Sequence, residues 1–119
     1  MKKIDDTTRK RLKRRASIRK KIKGTPERPR LTVYKSNRHT YVQAVDDLAG
    51  KTLAAASNLE KEQRGIQNRT AALEKLGQLI GERLKAKNIT AAVFDRNGYR
   101  YHGKVKAIAD GARKAGISL

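Results

Sequence analysis

The chain has no cysteine and no tryptophan, one phenylalanine and two prolines. Without cysteine, disulfide frameworks, zinc ribbons and thiol catalysis are excluded together. A reducing cytoplasm is compatible with that composition. No apolar run approaches the roughly 18 residues that would cross a bilayer. The opening Met1-Lys2-Lys3-Ile4-Asp5-Asp6 leads into charge rather than an apolar core segment, so no secretory signal is expected. The expected protein is soluble and intracellular, with no membrane partner. No Gly-rich phosphate loop is expected: Gly77 and Gly81 fall inside a predicted helix, and no G-x-G-x-x-G or Walker pattern occurs. No internal repeat is visible. The telling scarcity is of acid: 11 Asp and Glu stand against 30 Lys and Arg, a net charge of +19. Such an imbalance calls for a polyanion, nucleic acid or an anionic surface, rather than a small acidic substrate.

The excess is concentrated at one end. Residues 1–30 hold 14 basic and 3 acidic residues; residues 31–119 hold 16 and 8. The run Thr8 to Lys23, TRKRLKRRASIRKKIK, is mostly Arg and Lys with no acid among them. Asp5 and Asp6 suit the start of a helix through it, and Gly24-Thr25-Pro26 stops it. Its apolar stripe is thin, Leu12 and Ala16, then Ile18 and Ile22. Cations spaced by four oppose a helix by a few tenths of a kcal/mol per pair. The arm is therefore expected to be partly disordered alone and to order on its partner. Thr25-Pro-Glu-Arg-Pro-Arg30 reads as a stiff, extended linker. The predicted division is a basic arm with its linker over 1–29 and a globular domain over 30–119.

In the domain, Leu31 to Ser36 alternates, with Leu31, Val33 and Lys35 on one face and Thr32, Tyr34 and Ser36 on the other. Ser36-Asn37-Arg38-His39 is a turn, with Asn37 tolerant of the left-handed region. Thr40 to Asp46 alternates again, and Asp46 to Gly50 is a second hairpin loop with Gly50 suited to a bulge. Lys51 to Ser57 makes a third strand of an antiparallel meander with one wet face. Asn58 to Gln67 reads as a surface loop. Asn68 is placed to cap a helix to about Lys87, with Leu73, Leu76, Ile80 and Leu84 at helical spacing. Gly77 and Gly81 inside it predict close approach of the helix to the sheet, and Asn88 suits its exit. Ile89 to Phe94 reads as a central parallel strand joined by a right-handed crossover. A last helix spans roughly Gly103 to Ala115, ended by Gly116. The fold class is α/β: a three-strand antiparallel meander plus one parallel strand, with two packed helices and a basic N-terminal helical arm.

The loop Phe94 to Gly103, FDRNGYRYHG, is the most unusual segment of the domain. Asn97-Gly98 is a turn, with φ > 0 expected at Gly98. Arg96, Tyr99, Arg100, Tyr101, His102 and Lys104 mix cations, rings and hydrogen-bonding tips, a mixture that suits RNA. The first turn, with Tyr41, has the same character. Each tyrosine reads equally well as packed on the sheet with its hydroxyl in water. Catalysis finds little support. His39 and His102 lack a triad partner. Asp46, Asp47 and Asp95 sit at predicted strand ends, but Asp46-Asp47 reads equally well as a turn, so no metal site is expected.

Three stretches then carry a likeness: Arg30 to Gln43 (RLTVYKSNRHTYVQ), Gly50 to Ala54 (GKTLA) and Val93 to Ala107 (VFDRNGYRYHGKVKA). They resemble the bacterial large-subunit ribosomal protein eighteen family over nearly the whole chain. That resemblance implies a non-enzymatic protein without cofactor or metal that binds 5S rRNA. It would help attach 5S to 23S rRNA beside other proteins of the central protuberance, on the cytoplasmic ribosome. It implies a ribonuclease H-like topology without the acidic site. It implies RNA contacts from Arg9, Lys10, Arg11, Lys13, Arg14, Arg15, Arg19, Lys20 and Lys21 in the arm. Further contacts would come from Arg30, from Ser36, Asn37, Arg38, His39 and Tyr41, and from Arg96, Tyr99, Tyr101, His102 and Lys104. Two other classes compete. A DNA-binding architectural or nucleoid protein would want the same charge, but it would more often show dimer symmetry or an apolar wedge. A ribonuclease H-like nuclease would need more carboxylates.

Overall fold

Alternation along the chain builds the sheet first. In the computed structural model, which describes residues 5–36, 38–60 and 66–119, β1 (Arg30–Lys35) pairs antiparallel with β2 (Thr40–Asp46). β2 in turn pairs antiparallel with β3 (Lys51–Ser57). Leu31 and Val33 of β1 and Val42 and Ala44 of β2 turn to one face and are buried. Thr32 and Tyr34 lie in register with Gln43 and Tyr41 on the other face. The first turn closes with Ser36 N–H donating to His39 O at 2.8 Å and His39 N–H to Ser36 Oγ at 3.2 Å; the expectation for Asn37 lies outside the described residues. In the second loop Asp46 Oδ1 accepts from the N–H groups of Leu48 and Ala49. Gly50 has φ +64°. The ladder's irregularity sits a few residues away, where Ala44 faces Ala54 and Val45 faces Thr52. The extra residue is therefore Leu53 rather than Gly50.

The buried face is covered by α2 (Thr70–Lys85) and α3 (Lys104–Lys114). Leu73, Leu76, Ile80 and Leu84 recur at helical spacing and are fully buried; each stabilises the fold by about 1.5–3 kcal/mol. They meet Val105, Ile108 and Ala112 of α3 and the inner side chains of the sheet in one core. Asn68 does not cap α2, whose first turn follows Arg69 without a side-chain cap. Its Oδ1 instead accepts from Thr40 Oγ1 at 2.6 Å and its Nδ2 donates to Ser36 O at 3.1 Å. Asn68 thus clamps the start of α2 to the first hairpin. At the other end Asn88 takes φ +62°. Asn88 N–H donates to Lys85 O and Ile89 N–H to Leu84 O, which satisfies the last carbonyls of the helix.

The glycines of α2 have a different partner from the one their spacing predicts. A Cβ on Gly77 would stand 2.2 Å from Ile108 O, and one on Gly111 would stand 2.1 Å from Glu74 O. A Cβ on Gly81 would meet Ala115 Cβ at 2.6 Å. The close approach is between α2 and α3, not between α2 and the sheet, because the small residues of both helices face each other.

The apolar run after α2 is also reassigned. β4 is short (Val93–Asp95), parallel to β1, and lies at the end of the order β3-β2-β1-β4. Ile89 and Ala92 are apolar because they enter the helical core, not because a central strand covers them. Upstream, the linker is a turn rather than an extended spacer: Thr25 N–H donates to Arg28 O and Arg28 N–H to Thr25 Oγ1. A Cβ on Gly111 has only backbone to push against. Gly111→Ala should therefore destabilise the protein by about 1–3 kcal/mol, the usual cost of overpacking, despite Ala's better helix propensity. Urea unfolding followed by circular dichroism checks this.

Candidate nucleic-acid interface

The basic segment forms α1 (Asp6–Arg19). Asp5 caps it, accepting from Thr8 N–H at 2.7 Å, and Asp6 places a negative charge in the first turn. None of its residues is fully buried. Its thin apolar stripe cannot hold it to the domain, and polar contacts do so instead. Arg11 Nη1 donates to Asn97 O at 3.1 Å and Arg14 Nε to Gly98 O at 3.0 Å. Arg19 donates to Asp95 Oδ2 at 3.0 Å and to Asn97 Oδ1 at 3.1 Å. The Arg11 guanidinium stands 4.8 Å from the centre of the Tyr99 ring. The expectation of a loose arm misses this seat because the seat is built from residues more than 75 positions away.

The seat depends on the Asn97-Gly98 turn. Both residues have positive φ, +54° and +76°, and Tyr99 N–H donates back to Arg96 O at 3.0 Å. Such a turn suits Asn-Gly and little else. It brings the backbone of Gly98 so near α1 that a Cβ there would stand 2.3 Å from Arg11 O.

Beneath the turn lies Asp95, fully buried at the end of β4. Its Oδ1 accepts from Asn97 N–H at 2.9 Å; its Oδ2 accepts from Arg19 and, at 2.8 Å, from Arg30 Nη1. Burial is the largest single influence on this carboxyl and pushes its pKa up. The Asn97 N–H and the two guanidinium groups together outweigh it and hold the group below its ordinary 3.8. Arg30 also clasps Asp47 through Nε and Nη2, both at 3.0 Å. Asp47 is held below its ordinary value chiefly by Arg30; burial, next in size, opposes this, and the Gly24 N–H adds to the lowering. Asp95 and Asp47, two of the three carboxylates weighed for a metal, are thus taken by guanidinium groups, and Asp46 caps its own loop.

The residues predicted to contact RNA separate into groups. Lys10, Lys13, Lys20 and Lys21 are exposed and make no side-chain hydrogen bond or ion pair among the described residues. Arg9 is exposed and lies 3.7 Å from Asp6. Arg11, Arg14 and Arg19 turn toward the domain, and Arg30, its side chain 12% exposed, is spent on Asp47 and Asp95. Tyr99 is half-buried, with Arg11 and Lys35 against its ring and its hydroxyl donating to Lys35 O at 3.3 Å. Arg96 donates to Tyr99 O at 2.8 Å. Tyr101 is exposed, edge-on to Phe94 at 5.8 Å, with its hydroxyl accepting from Arg113. Ser36 bonds within its own turn; Arg38 and His39 line a hollow with Asn58, Leu59 and residues 66–68. His102 lines another hollow beside Thr70, Glu74 and Lys106, and Lys104 opens α3. Asn37 lies outside the described residues.

One cleft joins α1 to the open face of the sheet. Arg15 and Arg19 form its wall, and Thr32, Tyr34, Tyr41, Gln43 and Asn97 form the rest, around a volume of about 490 Å³. Tyr34 was not among the predicted contacts, although alternation placed it on the wet face. Pairing the two strands through the 36–39 turn would have set it opposite Tyr41.

With this geometry in view, comparison with known proteins is decisive. Residues 5–119 match the family model described as ribosomal L18 of archaea, bacteria, mitochondria and chloroplasts. The chain belongs to the ribosomal L18 family. It is 57% identical over 118 residues to the large ribosomal subunit protein uL18 of Treponema denticola, covering 99% of this chain and 98% of that protein. It is 55% identical over 111 residues to the protein of the same name from Myxococcus xanthus, covering 92% and 94%. The corresponding protein of Thermotoga petrophila is 52% identical over 112 residues, covering 92% of each. Membership in the L18 family makes this a ribosomal protein and not an enzyme. Among the described residues no helix is long and apolar enough to cross a membrane.

Two outcomes follow from the seat of α1. Gly98→Ala should unseat the helix while leaving the core intact, and limited trypsin digestion should then cut within residues 9–23 several-fold faster than in wild type. Asp95→Asn should cost about 3–5 kcal/mol at pH 7, as expected when a buried ion pair loses one partner. Because the native pKa of Asp95 lies below 3.8, its stabilisation is complete above that pH and is lost as pH falls through the lower native value. The stabilities of wild type and Asp95→Asn should therefore converge below pH 3.8 in a series of denaturant titrations.

Proposed function

We propose that this protein is a structural component of the large ribosomal subunit that binds 5S rRNA. In this reading it helps attach 5S to 23S rRNA among the proteins of the central protuberance. The observation that carries the reading is membership in a ribosomal family over residues 5–119, in a chain whose net charge is +19. The disposition of α1 supports it. Lys10, Lys13 and Lys20 recur at helical spacing on the side away from the Asp95 seat, so one helix presents cations outward while Arg11, Arg14 and Arg19 hold it down. Residues 1–29 act as the RNA-binding arm and linker, and residues 30–119 as the domain that addresses it. The strand order β3-β2-β1-β4, with β4 parallel to β1, supports likeness to a ribonuclease H core. Arg38 and His39 at the hairpin tip, and Tyr101, His102 and Lys104 around the start of α3, supply further contacts on separate faces.

The reading is tested by competing 5S rRNA against duplex DNA of equal length at fixed salt. A clear preference for the RNA is expected, and equal affinity would favour a DNA architectural protein. The arm's share is read from the salt dependence. Each phosphate neutralised on a duplex contributes about −0.9 to the log–log slope. Replacing Lys10, Lys13, Lys20 and Lys21 together by Gln should flatten the slope by about 2–4, with the melting temperature little changed.

A further inference from the structure

We propose that the cleft between α1 and the open sheet face seats a single unpaired nucleotide of the bound RNA, its base stacked on Tyr34 and its phosphate at Arg15. This rests on the RNA-binding reading above and adds to it a site and a form of RNA.

Tyr34 stands on the wet face of β1, 52% exposed. It faces Tyr41 across the ladder, with ring centres 6.2 Å apart and planes inclined by 52°. The two rings are tilted rather than stacked on each other, so a ring surface remains open toward the cleft. Bases in a duplex already have both faces covered; a ring surface recessed between a helix and a sheet is offered to an unstacked base. The volume, about 490 Å³, falls within the range of about 300–1,000 Å³ usual for small-ligand sites.

The wall supplies charge for a phosphate. Arg19 is held in place by Asp95 and Asn97. Arg15, one turn earlier on the same helix, is half-buried at the cleft and makes no hydrogen bond or ion pair among the described residues. No acidic residue lines the cleft among those residues. The floor supplies groups for a base edge. Gln43 brings an amide that donates and accepts. Thr32 Oγ1 is buried with no hydrogen-bond partner among the described residues, and leaving a hydroxyl so is costly. An acidic protein segment would use the arginines but not the open tyrosine ring.

The test uses the full chain and 5S rRNA. Tyr34→Ala should weaken binding about tenfold, the scale of one lost base stack, while Tyr34→Phe stays within about twofold of wild type. The salt slope should not change, because a stack releases no counterion. Ultraviolet crosslinking of the wild-type complex should place the joined nucleotide on the peptide holding Tyr34 or Tyr41. Thr32→Val should raise the melting temperature of the unbound protein and weaken RNA binding, a pair of effects that a purely structural hydroxyl would not give. If wild type shows no preference for 5S rRNA, the broader reading fails first. If wild type binds 5S rRNA and Tyr34→Ala binds it equally well, the cleft is not a nucleotide site and the broader reading stands. Unchanged binding together with protection of Tyr34 only when other ribosomal proteins are present would give the cleft to a protein segment and overturn the proposal.

Discussion

A single buried carboxylate ties the basic helix to the sheet. Asp95 ends the shortest strand, yet it receives a guanidinium from α1, a second from β1 and a backbone N–H from its own turn. Its burial would be prohibitive alone, since an unpaired charge out of water costs several kcal/mol. It is tolerated because three donors converge on it. Through Arg30 the arrangement extends to Asp47, and Asp47 in turn accepts from Gly24 N–H at 2.7 Å, just beyond the basic segment. Both ends of the path from α1 into β1 are thus pinned by carboxylates.

That pinning resolves a conflict in the sequence. A segment so rich in one charge repels itself and buries no complete side chain. A hydrophobic stripe could have held it, but a wide stripe would have left fewer positions for cations. Here Arg11, Arg14 and Arg19 do the holding, and the exposed lysines face outward. The division matches their chemistry. A guanidinium has a planar fork that bonds carboxylate and carbonyl oxygens at fixed angles, whereas an ammonium is a hydrated point charge suited to a mobile counter-surface. Arg11, Arg14 and Arg19 meet oxygens of the 95–98 turn; Lys10, Lys13 and Lys20 meet water.

The sheet was legible because its signal is local. Period-two alternation at Leu31–Ser36 and Thr40–Asp46 put Leu31 and Val33, and Val42 and Ala44, on common faces, and all four are buried. The stripe Leu73–Leu84 did the same for α2, and Asn88 and Gly116 marked the ends of both helices. What was not legible depends on distance in the chain. Arg19 and Asp95 are 76 positions apart, and nothing in the composition of either segment announces the other. The glycines Gly77 and Gly81 declared a close approach without naming the partner, which proved to be α3. Ile89 to Phe94 misled because an apolar run reports burial and says nothing of what does the burying. Of the candidate site, charge and rings were visible, and their grouping was not. Tyr34 and Tyr41 become neighbours only once the register of the hairpin is known.

The same constraint shapes the proposed nucleotide cleft. With α1 seated at the β4 end of the sheet, the helix walls the open face instead of covering it. The tyrosine pair on β1 and β2 stays uncovered at the foot of that wall. Moving the helix away would leave Asp95 with only Arg30 and its own turn, and would dissolve the cleft along with the seat. The position that satisfies the buried carboxylate is therefore also the one that keeps a cationic wall beside an open aromatic floor. The electrostatics that seat α1 and the geometry of the proposed cleft are one arrangement.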